Sequence, residues 1–402
     1  MSKSGYHARA EAYLATLCGV QPNRRVGSPG NRAATDSFAQ TVQPWGYELD
    51  TTPFPCLDFQ SGEVSLSCQD ESFEAYISPY SLPCDVTSRL TVVSTIEELE
   101  DCVCSDTILL LKGAISAEQL MPKNFVFYNP DHHQRVYGLL EEKQPAAIIT
   151  ATGKNPDLVG AAYPFPMIED GDFDIPSVHC RDTVGERIAD HPGEVFRLKT
   201  DARRIPATAC NVIARKKPEA REKIVVCAHI DAYGDTPGAA DNASGTVVGL
   251  LLAEMLAGYQ GHMGIEIVAF NGEDHYSAGG QMDYLHRYGE RMEEILVAIN
   301  IDDVGYVHGS TAYSLYECSD EIQRKADITL GNSAGLMKGD LWYQSDHMIF
   351  VQQGRAAIAI TAEKASELMA TVTHTPRDTP EIVDCHKLVE IAHALNGFIT
   401  QF

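Results

Sequence analysis

Four stretches of this 402-residue chain carry histidines and carboxylates in positions where they could do chemistry together. Residues 223–245 read KIVVCAHIDAYGDTPGAADNASG. The apolar run 224–228 delivers His229 and Asp231, and a glycine-rich loop then leads to Asp241 at a helix start. The run 265–270 ends in Asn271-Gly272-Glu273-Asp274, and the run 295–301 ends in Asp302-Asp303-Val304-Gly305. The fourth stretch is Thr373-His374-Thr375-Pro376-Arg377-Asp378. Any one of them alone reads as an acidic loop or a satisfied loop histidine. Together they place acids and imidazoles at the carboxyl ends of buried strands, where side chains from several strands converge. Paired acids beside a buried strand are costly unless a cation or a hydrogen-bond partner compensates them.

Such a set suits two zinc ions. Each would take one histidine and carboxylate oxygens, with one carboxylate and a water or hydroxide shared between the two. Two ions roughly 3.5–4 Å apart lower the pKa of a bridging water and clamp a reacting carbonyl. Magnesium suits the acids but not the imidazoles, whereas cobalt or manganese are alternatives to zinc. Adjacent acids also divide the work, because neighbouring side chains point in different directions.

The elements that must position these residues follow from the hydrophobic pattern. From residue 207 onward, apolar strands are expected at 210–214, 224–228, 265–270, 295–301 and 356–360. Helices are expected between them at about 243–258, 276–288 and 345–353, with a long one near 380–400. This alternation predicts an α/β domain with a mixed, largely parallel sheet covered by helices on both faces. Residues 1–54 read as two helices, 5–17 and 31–43, and a strand at 47–54 that belong to the same domain. Residues 55–204 have a different texture. Short strands at 64–66, 90–94, 107–112, 125–128, 146–150 and 176–180 alternate with turn residues, with helices at 132–144 and 183–189. The expected organisation is a discontinuous domain, 1–54 with 205–402, interrupted by a mostly-β insert, 55–204.

Composition narrows the function classes. The formal net charge of −25 argues against nucleic acid or an anionic membrane as partner, since both need a basic patch. No run of 18 or more apolar residues suggests a spanning helix. The first residues lack the apolar core of a signal peptide, and the eleven cysteines are an odd, scattered set. Reduced thiols in a cytoplasmic protein are the expectation. The pair His132-His133 has no carboxylate or cysteine at ligand spacing and reads as part of a surface helix.

With these residues in view, the chain resembles metallopeptidase family 28, the co-catalytic zinc aminopeptidases of the aminopeptidase Y and bacterial leucyl aminopeptidase type. The resemblance lies in His229-Ile-Asp231, Gly238-Ala-Ala-Asp241-Asn-Ala-Ser-Gly245, Phe270-Asn-Gly-Glu273-Asp274 and Asn300-Ile-Asp302. It continues in Ser345-Asp346-His347 and His374-Thr-Pro-Arg-Asp378, over about residues 207–402. Arg25-Val-Gly-Ser-Pro-Gly30 is similar to the family's opening segment, and the insert resembles a protease-associated domain. The resemblance implies that Asp241 bridges two metals, that His229 and Asp302 complete one site, and that Asp274 and His374 complete the other. Asp231 would orient His229, and Glu273 would be the general base. Tyr343 is the oxyanion candidate, and His347 is expected to be structural.

Two positions depart from the family pattern. Asp274 stands where the family has a second Glu, and Asp303 where it often has Met. The extra carboxylate at 303 could meet a substrate amino group or alter metal preference. The activity implied is hydrolysis of the first peptide bond of peptides with a free N-terminus. The alternatives are a glutaminyl cyclase-like acyltransferase, a carboxypeptidase or dipeptidase on the same centre, and a non-catalytic receptor-like homologue. Homodimerisation stays open, as do the preferred N-terminal residue and the role of the insert.

Overall fold

The computed structural model describes residues 3–154 and 161–402. Two compact units form, Met1–Cys56 with Ala207–Phe402, and Leu57–Pro206. Their boundaries fall inside two 16-residue strands, Pro53–Cys68 and Val195–Cys210.

The larger unit is built on an eight-stranded sheet. Its strands are β1 (Glu48–Asp50), β2 (Val212–Lys216), β3 (Lys223–His229), β4 (Gly264–Phe270), β5 (Ile295–Ile301), β6 (Thr311–Tyr316), β7 (Leu336–Lys338) and β8 (Ala357–Ala362). They lie in the order β1-β2-β4-β3-β5-β8-β6-β7. The four central strands β4, β3, β5 and β8 are parallel, while β2 and β6 flank them antiparallel. Every residue of β3 and β4 is buried. These strands read as continuous Val/Ile-rich runs because both faces are covered.

The covering helices are α1 (Lys3–Cys18), α2 (Pro29–Val42), α3 (Gly245–Met255), α4 (Gly279–Tyr288), α5 (Asp320–Thr329), α6 (Ala365–Thr371) and α7 (Cys385–Ile399). Ile224, Val226, Ile265, Ile267, Val297, Ile299, Ile358 and Ile360 pack into one core with residues of α1, α2, α3 and α7. Phe270, from the alternate set of β4, meets Tyr284 of α4 edge-on, and Tyr284 meets Phe350. The period-2 alternation of side chains thus serves two different helical layers. Helix α2 starts where Ser28 accepts a hydrogen bond from the Asn31 amide at 3.0 Å and proline occupies the first turn. Helix α3 can approach β5 because residue 245 is glycine: a Cβ there would sit 2.2 Å from the Ile301 carbonyl oxygen.

The smaller unit holds most of a second eight-stranded sheet, whose strands at Cys84–Val93, Ile108–Leu111, Ala147–Thr152 and Ser177–Arg181 run parallel in that order. Helices Asp131–Lys143 and Asp182–Ala189 accompany them. The strand expected at 125–128 does not form. The Phe125 amide donates to the Pro122 carbonyl instead, and the Asn129 side chain donates to the carbonyls of Pro122 and Lys123. Local turn bonds leave that segment no free ladder. In the larger unit the helix expected at 345–353 contracts to Met348–Val351. The strands β6 and β7 carry no strong periodic signal, because polar residues interrupt the first and the second is only three residues long. The cysteines are free thiols. Among the described residues, no helix is long and apolar enough to cross a membrane.

Arg24 holds the larger unit together near the sheet edge. Its buried guanidinium donates to the carbonyls of Leu17, Ile230, Pro237 and Gly238 at 2.6 to 3.0 Å. Replacing it leaves four inward-facing carbonyls without their donors. Arg24→Ala should lower the unfolding free energy by about 3 kcal/mol or more in urea titration. The exposed Arg32, which donates to the Gly27 carbonyl, should cost less than about 1 kcal/mol on the same substitution.

Candidate metal centre

Strands β3, β4 and β5 end side by side, with His229 opposite Phe270 in the register. The ladder continues briefly past the strand ends: the Ile230 amide donates to the Phe270 carbonyl at 2.7 Å, and the Asp302 amide to the Ile360 carbonyl at 2.9 Å. The residues that follow each strand are therefore delivered to one edge of the sheet.

Two carboxylates shape the loops there without joining the cluster as free acceptors. Asp231 accepts from the amides of Gly272, at 2.7 Å, Glu273, at 3.2 Å, and Asp274, at 3.1 Å. It also lies 3.7 Å from Nδ1 of His229. Gly272 takes φ +93°, a conformation that suits glycine and turns the chain so that the three amides face inward. Asp378 accepts from the amides of Ala240, at 2.7 Å, and Asp241, at 3.1 Å. Next to it, Asn242 follows a cis peptide bond from Asp241, donates to the Ile301 carbonyl and accepts from the Gly245 amide.

Between these two braced loops lies a buried cluster. Nε2 of His229 is 3.1 Å from Oδ1 of Asp241 and 3.4 Å from Oδ1 of Asp302. Nε2 of His374 is 3.2 Å from Oδ2 of Asp241 and 3.0 Å from Oδ1 of Asp274. The two oxygens of Asp241 thus face two different imidazoles. Glu273 places Oε2 4.0 Å from Nε2 of His229. Oxygens of Asp241, Asp302 and Asp303 also lie within 4.8 Å of one another.

The charge balance is unfavourable for protein groups alone. Burial by itself would depress the His229 and His374 pKa values, but the surrounding carboxylates outweigh it and hold both well above the ordinary range. Burial would raise Asp241, yet its contacts with the two imidazoles hold it well below the usual carboxylate range. Burial, reinforced by neighbouring acids, pushes Glu273 and Asp303 well above that range and raises Asp274. Oδ2 of Asp274, Oδ1 of Asp302 and Oδ1 of Asp303 are covered and accept no hydrogen bond. A buried carboxylate oxygen without a donor needs a cation. The donors fit zinc: each half of the cluster presents one imidazole nitrogen and carboxylate oxygens, with Asp241 common to both. His229, Asp241 and Asp302 could hold one ion, and Asp241, Asp274 and His374 a second.

The other sequence candidates lie elsewhere. Tyr343 is 65% exposed, and its ring meets Tyr316 edge-on. His347 is buried, with Nε2 3.0 Å from the Trp342 carbonyl and Nδ1 3.4 Å from the Asn300 amide nitrogen. Burial lowers its pKa to about 4, so a neutral ring serves both contacts. Asp346 is buried beneath the strand ends, accepts from Gln281 at 2.7 Å, and is raised by burial to about 7.

In the smaller unit the His132-His133 pair does have a carboxylate partner, which sequence spacing hid. Oε1 of Glu118 lies 2.8 Å from Nε2 of His132 and 3.2 Å from Nε2 of His133. His133 is buried, not on the surface, and its Nδ1 accepts from the Met121 amide. That bond leaves the proton of the neutral ring on Nε2, which lies beside Glu118 without a hydrogen bond to it.

Sequence reasoning missed the stacking of Tyr233 on His374, with ring centroids 4.3 Å apart and planes 18° from parallel. Nothing in the string signals it. It also quoted Asp378 without giving it a role. The spacing of Asp378 four residues after His374 was the available signal.

The fold and its acid–imidazole edge define an α/β protein with a candidate metal-binding centre, and comparison with known proteins narrows this. Residues 211–399 match the family model described as Peptidase family M28. Aminopeptidase YwaD of Bacillus subtilis is 28% identical over 237 residues, 56% of this chain and 50% of that protein. A probable zinc metalloprotease of Pyrenophora tritici-repentis is 40% identical over 76 residues, 19% of this chain and 17% of that protein. The chain thus spans half or less of the length of these two relatives. Among solved structures, the aminopeptidase from Aneurinibacillus sp. strain AM-1 superposes with a TM-score of 0.77 at 21% identity, covering 98% of this chain and 93% of that one. This last likeness is one of fold.

Asp231 braces the turn that carries Glu273 and Asp274 and touches His229. Asp231→Asn keeps the shape but removes the charge that accepts three amides. Metal retained after dialysis against a chelator should fall, with affinity about 10- to 100-fold weaker. Unchanged retention would show that the turn holds its position without this carboxylate.

Proposed function

We propose that the chain is a zinc-dependent aminopeptidase that hydrolyses the first peptide bond of peptides with a free N-terminus. The observation that carries this reading is Asp241, whose two oxygens face the Nε2 atoms of His229 and His374 at 3.1 and 3.2 Å. A carboxylate shared in this way is what a two-ion centre requires. Zinc and aminopeptidase activity are the properties named for the relatives above, and the donor chemistry here agrees with them.

His229, Asp241 and Asp302 would hold one ion, and Asp241, Asp274 and His374 the other. When bound, the pair supplies Lewis acidity to a water molecule and to the substrate carbonyl. The chain's own residues do the rest. Asp231 contacts Nδ1 of His229 and leaves Nε2 to face the cluster, so the ring cannot turn away. The same carboxylate fixes the Glu273 amide and with it the approach of that side chain. Glu273 accepts a proton from the attacking water on a carboxylate oxygen as the new C–O bond forms. It returns that proton to the amine nitrogen as the C–N bond breaks, which releases the first amino acid and a shortened peptide.

Glu273→Gln keeps size and removes proton transfer. In folded, metal-loaded protein it should lower kcat on aminoacyl-anilide substrates by about 10²- to 10⁴-fold with little change in KM. Unchanged turnover would remove the proposal. A peptide with N-terminal glutamine tests the reaction type separately. Free glutamine is the expected product, whereas ammonia and a cyclised peptide would mark an acyltransferase. N-acetylated peptides should not be cleaved.

A further inference from the structure

The residue after Asp302 is a second aspartate, and its placement has consequences for the metal. We propose that Asp303 is a third carboxylate donor in the His229 half of the centre, and that this half takes an oxygen-preferring divalent cation of the manganese class. The inference rests on the metal-centre reading above and refines it.

Neighbouring residues at the end of a strand normally send their side chains to opposite faces. Here the chain turns. Asp303 adopts φ +53°, in the left-handed region that non-glycine residues seldom enter. Its carbonyl is held by the Ala362 amide at 3.1 Å, and the Asp302 amide is held by the Ile360 carbonyl at 2.9 Å. Both residues are thereby fixed to β8, and the turn lets both carboxylates converge with Asp241, oxygens of all three lying within 4.8 Å of one another. Asp302 is 7% exposed and its Oδ1 accepts no hydrogen bond. Oδ1 of Asp303 is likewise covered and without a donor. Two covered oxygens on adjacent residues, both lacking a hydrogen-bond partner, point to a small enclosed cation.

The donor count then sets the preference. With Asp303, this half offers one imidazole nitrogen, from His229, and three carboxylates, from Asp241, Asp302 and Asp303. Tetrahedral zinc uses four donors and favours nitrogen and sulfur among them, whereas carboxylate-rich sites with higher coordination suit manganese. The His374 half, with Asp241 and Asp274, keeps the donor set expected for zinc.

The test uses the full chain, stripped of metal, as wild type, Asp303→Asn and Asp303→Met. Each is titrated with Mn²⁺ and with Zn²⁺ separately by calorimetry, with Mn²⁺ binding followed by electron paramagnetic resonance. The wild type should bind one Mn²⁺ at least about tenfold more tightly than either variant, while the tighter Zn²⁺ step changes by less than about threefold. Equal Mn²⁺ affinity in all three proteins overturns the proposal and leaves the two-ion centre standing. A wild type that binds no divalent cation removes both. Anomalous scattering from a crystal of Mn²⁺-loaded wild type gives a readout independent of the variants: a direct bond from Asp303 to the ion supports the assignment, and a carboxylate turned away from it defeats it.

Discussion

Burying acids at the end of a sheet is the constraint from which most of this structure follows. Each ionised carboxylate removed from water carries a penalty of several kcal/mol unless donors or a cation replace its hydration. The chain meets that demand in two ways. Asp231 and Asp378 are surrounded by backbone amides, three for one and two for the other. A hydrogen bond to a charged group contributes about 1.5–3 kcal/mol, which offsets part of the burial penalty of these acids, although burial still raises Asp378 to about 6. Asp274, Asp302 and Asp303 each keep a covered oxygen with no donor. A neighbouring positive charge or a bound proton would compensate them, and burial already raises the proton affinity of Asp274 and Asp303.

That division separates bracing from binding. The amide-bound acids fix loop shape: Asp231 closes the turn at 272–274, and Asp378 closes the turn at 239–241. Asp274 is carried on the first of these turns, whereas Asp302 and Asp303 follow β5 and are tied to β8. Asp241 stands at the junction, with its amide braced by Asp378 and its oxygens shared between His229 and His374. The arrangement is rigid because it grows from parallel strands buried on both faces. Side chains carried by such strands are positioned more accurately than those on free loops.

Much of this was legible in the string for a simple reason. Strands β3, β4 and β5 are rich in β-branched and other apolar residues, with Glu266 and Asn300 as the polar exceptions inside β4 and β5, and a histidine or an acid lies at or within three residues of the end of each. A two-sided sheet core has no other common composition. Strands β6 and β7 were not legible, because Thr, Ser and Tyr interrupt the first and the second is only three residues long. The partner of His132 and His133 was also hidden. Glu118 reaches them through a loop held by backbone and side-chain bonds, and periodicity carries no trace of it.

By itself the sequence determined the element types around the centre, the chemical identity of its donors and the order in which strands deliver them. These are local properties: burial selects apolar runs, and a strand must end where polar residues begin. Only the tertiary structure decided which acids are satisfied by amides and which are left for a cation. It also decided that Asp241 faces two imidazoles at once, that Tyr233 stacks on His374, and that Asp302 and Asp303 converge. Each depends on groups far apart in the chain arriving at one place, where distance and solvent exclusion, rather than residue type, set the strength of every charge interaction.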